Sequence, residues 1–205
     1  SDNQAEFIDN LRDNQMTFGL GDPGTGKTFL AVAVALEMLQ QNKIDRIIAT
    51  RPAVEAGGEK LGFLPGDLRE KIDPYLRPLY DALHEMVPAE KMNKHLDNGE
   101  IEIAPLAFMR GRTLKNAFVI GDEIQNTTPE QMHMLLTRLG ENSQMALVGD
   151  PSQNDLQRGQ PSGLQDVLDR NIERLNGVAV THFGKPDIVR PGIVGEVQKL
   201  YEQDK

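Results

Sequence analysis

The segment that decides the fold is Gly21-Asp22-Pro23-Gly24-Thr25-Gly26-Lys27-Thr28, a glycine and four residues followed by Gly-Lys-Thr. This spacing is typical of a phosphate-binding loop, in which glycines allow the backbone amides to surround phosphate groups. In that pattern Lys27 reaches the β and γ phosphates, and the Thr28 hydroxyl coordinates Mg²⁺. The segment therefore predicts binding of a nucleoside triphosphate with Mg²⁺; the alternative is an ordinary glycine-rich turn.

Short apolar runs alternate with helical patterns on both sides of this loop. The runs are rich in β-branched and aliphatic residues, and most are bounded by Gly, Asp, Asn or Pro, as strands are. Parallel strands need crossover helices, so the alternation predicts a three-layer α/β fold with a mostly parallel sheet. Such sheets bind ligands at the carboxyl ends of their strands. The predicted strands are Met16–Leu20, Arg46–Thr50, Ile101–Ile103, Ala117–Gly121, Gln144–Gly149 and Val178–Phe183.

Two helices are marked by periodicity and by their ends. Lys27–Gln41 carries an apolar face at helical spacing directly after the loop. Thr128, Pro129 and Gln131 have the pattern of an N-cap, a first-turn proline and a capping-box partner, and Gly140 is predicted to end that helix.

Residues 52–99 show no strand pattern and are predicted to form a helical insertion beside the sheet, within a single domain over residues 1–205. The insertion starts with turn-rich sequence at 56–66. Helices are predicted over Asp67–Met86, interrupted near Pro74 and Pro78, and over Pro88–Leu96.

An acidic pair, Asp122-Glu123, follows the strand Ala117–Gly121. Asp122 is predicted to hold Mg²⁺ through water, and Glu123 to orient and deprotonate an attacking water molecule. Taken alone, such a pair is more often a helix N-cap, but the phosphate loop in the same chain favours hydrolysis.

Two glutamines are candidates for contacts with the nucleotide. Gln153 follows the strand Gln144–Gly149 and is predicted to sense the γ-phosphate, although Gly149-Asp150-Pro151 also fits a plain β-turn. Gln4 precedes the first strand and could read the adenine edge through its amide; it could also serve a capping box with Ser1.

The base is predicted to be adenine. Asn42-Lys43-Ile44-Asp45 matches a guanine-selecting pattern, but it directly follows the helix of the phosphate loop, whereas guanine selection comes from a loop late in the sheet. We interpret it as a helix-end loop, so the expected cofactors are ATP and Mg²⁺.

The window 104–121 contains Arg110, Arg112 and Lys115 but no acidic residue. Together with Phe108 it is a candidate surface for single-stranded nucleic acid, which combines phosphate contacts with a stacking ring. The alternative is solvated bases near a core Phe.

Two further arginines are candidates for phosphate contacts. Arg51 ends the second strand and is a candidate contact to nucleic-acid phosphate, and Arg190 follows Asp187-Ile188-Val189. Either could contact a phosphate or act as an arginine finger toward a neighbouring copy.

Composition limits the function classes. The 205 residues suffice for one domain with a real core, and a net charge of −9 argues against a protein that coats duplex nucleic acid. The absence of Cys excludes disulfides, thiolate zinc sites and a Cys nucleophile. No apolar run approaches the ~18 residues of a membrane span, and Ser1–Gln15 is mostly polar, so we expect a cytoplasmic protein with no membrane partner.

Several long segments closely resemble the PhoH-like family, and the similarity covers essentially the whole chain. These blocks are far more specific than the phosphate loop alone. They are Gly21–Thr28, Thr50–Ala56, Lys60–Leu68, Asp73–Leu83, Ala104–Leu114, Asp122–Met132, Thr137–Gly140 and Gly149–Asp150.

The resemblance implies a cytoplasmic ATPase with a RecA-like fold, related to the core of superfamily 1 helicases and linked to phosphate starvation and RNA metabolism. It also implies a homo-oligomer, often a ring such as a hexamer. By position, Gly21–Thr28 would bind the phosphates, Asp122 and Glu123 would serve Mg²⁺ and water, and Gln153 would match the helicase-like sensor.

The leading hypothesis is a Mg²⁺-dependent ATPase whose hydrolysis drives conformational work on RNA or single-stranded nucleic acid. The alternative is a regulatory ATP-binding module that acts through protein partners and unwinds nothing. A small-molecule kinase is disfavoured by the Asp122-Glu123 pair and by the lack of a recognisable substrate lid.

Overall fold

The computed structural model describes residues 1–53, 68–156 and 158–202. The turn-rich start of the predicted insertion, 56–66, lies outside these residues. The strands are β1 Met16–Gly21, β2 Arg46–Arg51, β3 Ile101–Pro105, β4 Ala117–Gly121, β5 Gln144–Gly149 and β6 Val178–Phe183. The α-helices are α1 Asp2–Asp13, α2 Lys27–Gln40, α3 Leu68–Met86, α4 Ala89–Asp97, α5 Pro129–Leu136, α6 Gly163–Asp169 and α7 Gly192–Glu202.

The strands form one six-stranded sheet in the order β3-β2-β4-β5-β1-β6, and every pairing is parallel. The predicted parallel α/β fold is thus confirmed. Because the strands run in one direction, their carboxyl ends share one edge of the sheet. β5 lies between β1 and β4, so the segments that follow these three strands are neighbours.

The sheet separates two apolar clusters, as three layers require. Successive residues of β4 face opposite sides: Phe118 packs with α1, α2 and α3, whereas Val119 packs with α5 and α6. Both side chains are fully buried. This burial on two faces explains why the strands are continuous apolar runs.

Helix α3 corrects one prediction, because it continues through Pro74 and Pro78 without the expected interruption. A proline inside a helix removes a backbone hydrogen bond. Both prolines are exposed, so the freed carbonyl oxygens can be hydrated. On the other side of the helix Leu76, Leu79 and Leu83 are buried in the core, and this packing outweighs the local penalty.

Gly140 corrects a second prediction, since α5 ends at Leu136 rather than at this glycine. Gly140 lies beside a bridge between Leu114 and Leu139, and a Cβ placed on it would lie 2.7 Å from the Leu114 carbonyl oxygen. The glycine is therefore needed for close backbone approach. The capping box of Thr128 and Gln131 is confirmed.

In the part of the chain that the structure describes, no helix is both long enough and apolar enough to cross a membrane.

Candidate nucleotide site

A cleft of about 280 Å³ opens at the carboxyl ends of β1, β4 and β5. It brings together most of the residues that the sequence predicted to handle a nucleotide. Its lining residues are Pro23, Gly24, Gly26, Lys27, Thr28, Phe29, Asp122, Glu123, Gly149, Asp150, Gln153 and Arg190.

The loop between β1 and α2 has the backbone that its glycines allow. Gly24 and Gly26 have φ angles of 79° and 84°, a left-handed region that side-chain-bearing residues rarely occupy. Gly26 is the N-cap of α2, so this helix starts at the cleft. Exposed amides and the positive end of a helix dipole both favour a bound anion. The Thr25 hydroxyl donates to the Asp22 carbonyl at 3.0 Å and closes the turn.

Lys27 is buried and lies on the carbonyl oxygens of its own loop. Its ammonium group donates to the carbonyls of Gly21 and Asp22, each at 2.7 Å, and to the Thr25 hydroxyl at 3.3 Å. Burial lowers the pKa of Lys27, and the nearby carboxylates, Asp150 first, partly offset this effect. The Lys27 ammonium group is thus positioned at the cleft to bind an anionic ligand.

The predicted magnesium ligands are adjacent. The Thr28 hydroxyl donates to Oδ1 of Asp122 at 2.7 Å, and Asp122 is buried at the end of β4. A hydroxyl and a carboxylate are oxygen donors of the kind that Mg²⁺ prefers, so this pair fits the ion. Within residues 1–53, 68–156 and 158–202 no three acidic or His side chains cluster as a self-sufficient metal site. Mg²⁺ is commonly held by one or two protein groups together with phosphates and water.

Glu123 projects from a turn with φ 53° and is about two-fifths exposed in the cleft. One of its carboxylate oxygens accepts a hydrogen bond from the side-chain amide of Gln125. The other lies 3.8 Å from the Arg51 guanidinium. The carboxylate is therefore held at the cleft wall and remains open to solvent, as a base for water needs.

Arg51 forms the strongest ion pair of the site. Its Nη2 and Nε donate to Oδ2 of Asp122 at 2.6 and 3.0 Å, and its Nη1 donates to the Tyr75 carbonyl of α3 at 3.3 Å. The structure thus brings Arg51 to a predicted metal ligand and to α3, and its contacts with a phosphate or a neighbouring copy stay predictions.

Replacing Arg51 by alanine is expected to lower the free energy of unfolding by about 3–5 kcal/mol, because Asp122 would remain buried without its cationic partner. Denaturant unfolding without nucleotide measures this loss. The matched control is Arg112→Ala, whose pair with Glu102 is about one-third exposed and should cost under about 1 kcal/mol. Equal losses in the two variants would contradict the central role of the Arg51–Asp122 pair.

Gln153 and Arg190 both line the cleft. The Gln153 backbone amide donates to the Asp150 carbonyl at 3.1 Å, so the residue belongs to a tight turn at the cleft. The Arg190 side chain contacts Gly24: a Cβ atom added to this glycine would lie 2.2 Å from Nε of Arg190. The backbone next to Arg190 is hydrogen-bonded to the phosphate loop, since the Val189 backbone amide donates to the Gly24 carbonyl at 2.9 Å.

Gln4 forms the predicted capping box, whereas its contact with adenine stays a prediction. With Ser1 it forms the capping box of α1. Its side-chain amide also donates to the Thr25 carbonyl at 3.1 Å, which places it beside the phosphate loop.

The predicted basic window is partly neutralised by acids from outside it. Arg112 donates to both carboxylate oxygens of Glu102 at 2.7 and 2.9 Å, and these bonds hold the pKa of Glu102 below its usual value. Arg110 lies 3.9 Å from Glu130 and is largely exposed. Lys115 is exposed, and Phe108 is 54% exposed.

Sequence reasoning missed Gln125, which is 1% exposed and contacts both the Glu123 turn and the end of β5. No periodicity or spacing marks this residue. Its contacts depend on β4 and β5 being adjacent, and that adjacency is a property of the strand order.

The fold and the site define a parallel α/β protein with a phosphate-loop motif at the carboxyl edge of its sheet. The phosphate loop follows β1, the acidic pair follows β4, and β5 separates these strands. The chain belongs to the PhoH-like protein family, whose model matches residues 1–202.

Relatives in this family are similar over nearly the whole chain. PhoH-like proteins of Synechocystis and Bacillus subtilis are 52% and 51% identical over 98% of it, and Escherichia coli Protein PhoH is 47% identical over 97%. The chain covers 61%, 62% and 56% of these relatives' own lengths. A Sulfolobus solfataricus SWI2/SNF2 ATPase core in complex with dsDNA aligns over 72% of this chain and 30% of its own, at 14% identity and a TM-score of 0.46. At that distance the likeness carries no inference about function.

Proposed function

We propose that this protein is a Mg²⁺-dependent ATPase. The observation that carries the proposal is the cleft itself, where a phosphate loop, the adjacent Thr28 and Asp122, and the solvent-accessible Glu123 surround one space. Phosphate binding alone would not require a carboxylate held opposite the loop. A base beside the γ-phosphate position supports transfer to water.

Each residue has a role that follows from its position. The loop amides and the start of α2 bind the phosphates, and Lys27 exchanges its loop carbonyls for phosphate oxygens. Thr28 and Asp122 would hold Mg²⁺, which neutralises charge that develops on the phosphates. Glu123 orients a water molecule and accepts its proton. Arg190, which already lies against the loop, adds a cation near the phosphates within the same chain.

Adenine is favoured over guanine by the location of the guanine-like pattern. Asn42–Asp45 lies between the end of α2 and the start of β2, which is the edge of the sheet opposite to the cleft. Gln4, in contrast, contacts the loop: its amide donates one N–H to the Thr25 carbonyl and accepts the Ser1 ammonium group, which leaves one N–H and one oxygen lone pair for adenine.

Phosphate release tests the proposal. The protein should liberate inorganic phosphate from ATP in the presence of Mg²⁺, lose this activity in EDTA, and turn over GTP more slowly. Absence of phosphate release from ATP at saturating Mg²⁺ would overturn the proposal, and equal use of GTP would overturn its adenine preference.

For the target of this ATPase we propose single-stranded nucleic acid, bound at Phe108, Arg110 and Lys115. An exposed ring and two exposed cations within the segment 108–115 support stacking together with phosphate contacts. Arg110 also reaches Glu130 in the first turn of α5, the helix that follows the Asp122–Glu123 segment. A ligand bound at Phe108, Arg110 and Lys115 would therefore contact residues that are near Glu123 in the sequence.

Phe108→Ala is expected to weaken binding of a labelled oligouridine about 5- to 100-fold, as loss of one stacking contact predicts. Fluorescence anisotropy at fixed salt measures this change. Leu175→Ala is the matched control, since Leu175 is also an apolar residue that is 54% exposed. If oligouridine neither binds nor stimulates ATP turnover, the regulatory module that acts through protein partners becomes the better interpretation.

A further inference from the structure

Gln125 joins two parts of the site through one buried side chain. It follows Glu123 in a short 3-10 turn and is almost fully buried. Its Nε2 donates to Oε2 of Glu123, and its Oε1 accepts the backbone amide of Asp150 at 3.2 Å. One amide group thus connects the segment after β4 with the segment after β5.

The orientation of this amide is determined by its partners. The Asp150 backbone N–H is only a donor, so the oxygen of Gln125 must face it, and the NH₂ group must then face the Glu123 carboxylate. The space for this arrangement exists because residue 149 is glycine: a Cβ there would lie 2.5 Å from Oε1 of Gln125. The main chain of Gln125 is also held, since the Ser162 hydroxyl donates to its carbonyl at 3.0 Å.

The Asp150 end of the bridge belongs to the turn that carries Gln153. The Asp150 carbonyl accepts a hydrogen bond from the Gln153 backbone amide at 3.1 Å. The Asp150 carboxylate accepts from the backbone amide and the hydroxyl of Ser152 at 2.9 and 2.7 Å. The turn is therefore a compact unit whose Gln153 side chain lines the cleft. A shift of this unit moves the Asp150 amide, and with it the group that holds Glu123.

We infer that Gln125 is a positioning residue that fixes the Glu123 carboxylate for attack by water and couples it to the Gly149–Gln153 turn. The inference rests on the proposed ATPase function. Gln125 occupies one oxygen of Glu123, and the other, which lies 3.8 Å from the Arg51 guanidinium, is the one that faces water. The coupling uses the predicted role of Gln153 as a sensor of the γ-phosphate: a turn that shifts with this phosphate would move the same amide, so that the base is correctly placed only while the triphosphate is present.

The test uses two substitutions at this position. Gln125→Ala removes both contacts and is expected to lower kcat about 10- to 100-fold, the effect of misplacing a reacting group by about 1 Å, with the KM for ATP nearly unchanged. Gln125→Met keeps the length of the side chain and removes both hydrogen bonds without placing a second carboxyl beside Glu123, so it should show a similar fall in kcat even if the alanine variant folds poorly. Gln131→Ala is the control, because it removes a capping-box glutamine on α5 that contacts Thr128 and not the site; it should lower only the melting temperature.

A double-mutant cycle separates positioning from general loss of structure. Single-turnover rates are compared for Gln125→Ala alone and in the Glu123→Gln background, with ATP affinity measured by a fluorescent analogue. If Gln125 acts through Glu123, its removal should change the rate less than twofold in that background. An equal loss in both backgrounds, or wild-type kcat in both Gln125 variants, overturns the inference and leaves the ATPase proposal intact. Absence of hydrolysis by the wild-type protein overturns the ATPase proposal itself.

Discussion

ATP turnover is expected to fall about 100- to 10,000-fold when Glu123 is replaced by glutamine, while the nucleotide remains bound. Glutamine has nearly the same shape, so the cleft keeps its form, but an amide cannot accept the proton of the attacking water. The phosphate-binding parts of the site, Lys27 and the loop glycines, are unchanged. Single-turnover hydrolysis and equilibrium binding of a fluorescent ATP analogue measure the two quantities separately.

Glu130→Gln is the control for this substitution. Glu130 also carries a carboxylate near the start of α5, but it is 84% exposed and lies outside the cleft, so its loss should leave turnover within twofold. If Glu123→Gln retains more than about a tenth of wild-type turnover, a different carboxylate of the cleft accepts the proton. Asp150, which is buried and lines the same cleft, would be the next residue to replace.

The positions of the strands were predictable because their sequence signals are local. Five of the six strands end at a Gly, Pro or charged residue, and β6 ends at Phe183 directly before Gly184. The observed strands differ from the predicted ones by at most two residues at an end. The largest difference is β3, which continues from Ile103 to Pro105. Its pairing with β2 extends through Arg51 opposite Pro105, and pairing to a partner strand is not visible in a local pattern.

The main predicted site residues were also local signals, since the phosphate loop and the acidic pair each lie in one short segment. What the sequence could not supply was which segments meet. Arg51 and Asp122 are 71 residues apart, and their ion pair exists because β2 and β4 are neighbours in the sheet. The contact of Gln125 with Asp150 depends in the same way on the adjacency of β4 and β5.

The segment 104–121 shows that the order of charges along the sequence does not predict which charges lie together in the fold. Residues 104–121 contain no carboxylate, yet Glu102 on β3 pairs with Arg112, and Glu130 on α5 approaches Arg110. Folding therefore leaves Lys115 and the largely exposed Arg110 as the cations beside Phe108. The predicted hexameric ring concerns contacts between copies of the chain and stays a prediction.

Lys27→Ala is expected to weaken ATP binding about 100-fold, because the loss of a charged hydrogen bond to phosphate costs up to ~3 kcal/mol. Isothermal titration calorimetry with ATP and Mg²⁺ measures the change. Lys43→Ala is the matched control: Lys43 is an exposed lysine within the guanine-like pattern, on the opposite edge of the sheet, and its loss should leave ATP affinity unchanged. An effect of Lys43→Ala equal to that of Lys27→Ala would contradict both the site and the choice of ATP.

The lowered pKa of Lys27 gives the same experiment a pH dependence with a definite sign. Burial disfavours the charged ammonium in the free protein, whereas bound phosphates favour it, so ATP binding should raise this pKa again. At a pH between the lowered pKa and the pKa in the complex, Lys27 is deprotonated in the free protein and protonated in the complex. Binding of ATP therefore takes up a proton, and the affinity for ATP falls as the pH rises through that range. Calorimetry in buffers of different ionisation enthalpy detects the proton uptake. Lys27→Ala should abolish it, since the buried ammonium group that the phosphates would stabilise is then absent; proton uptake that persists in this variant would assign the titration to another residue.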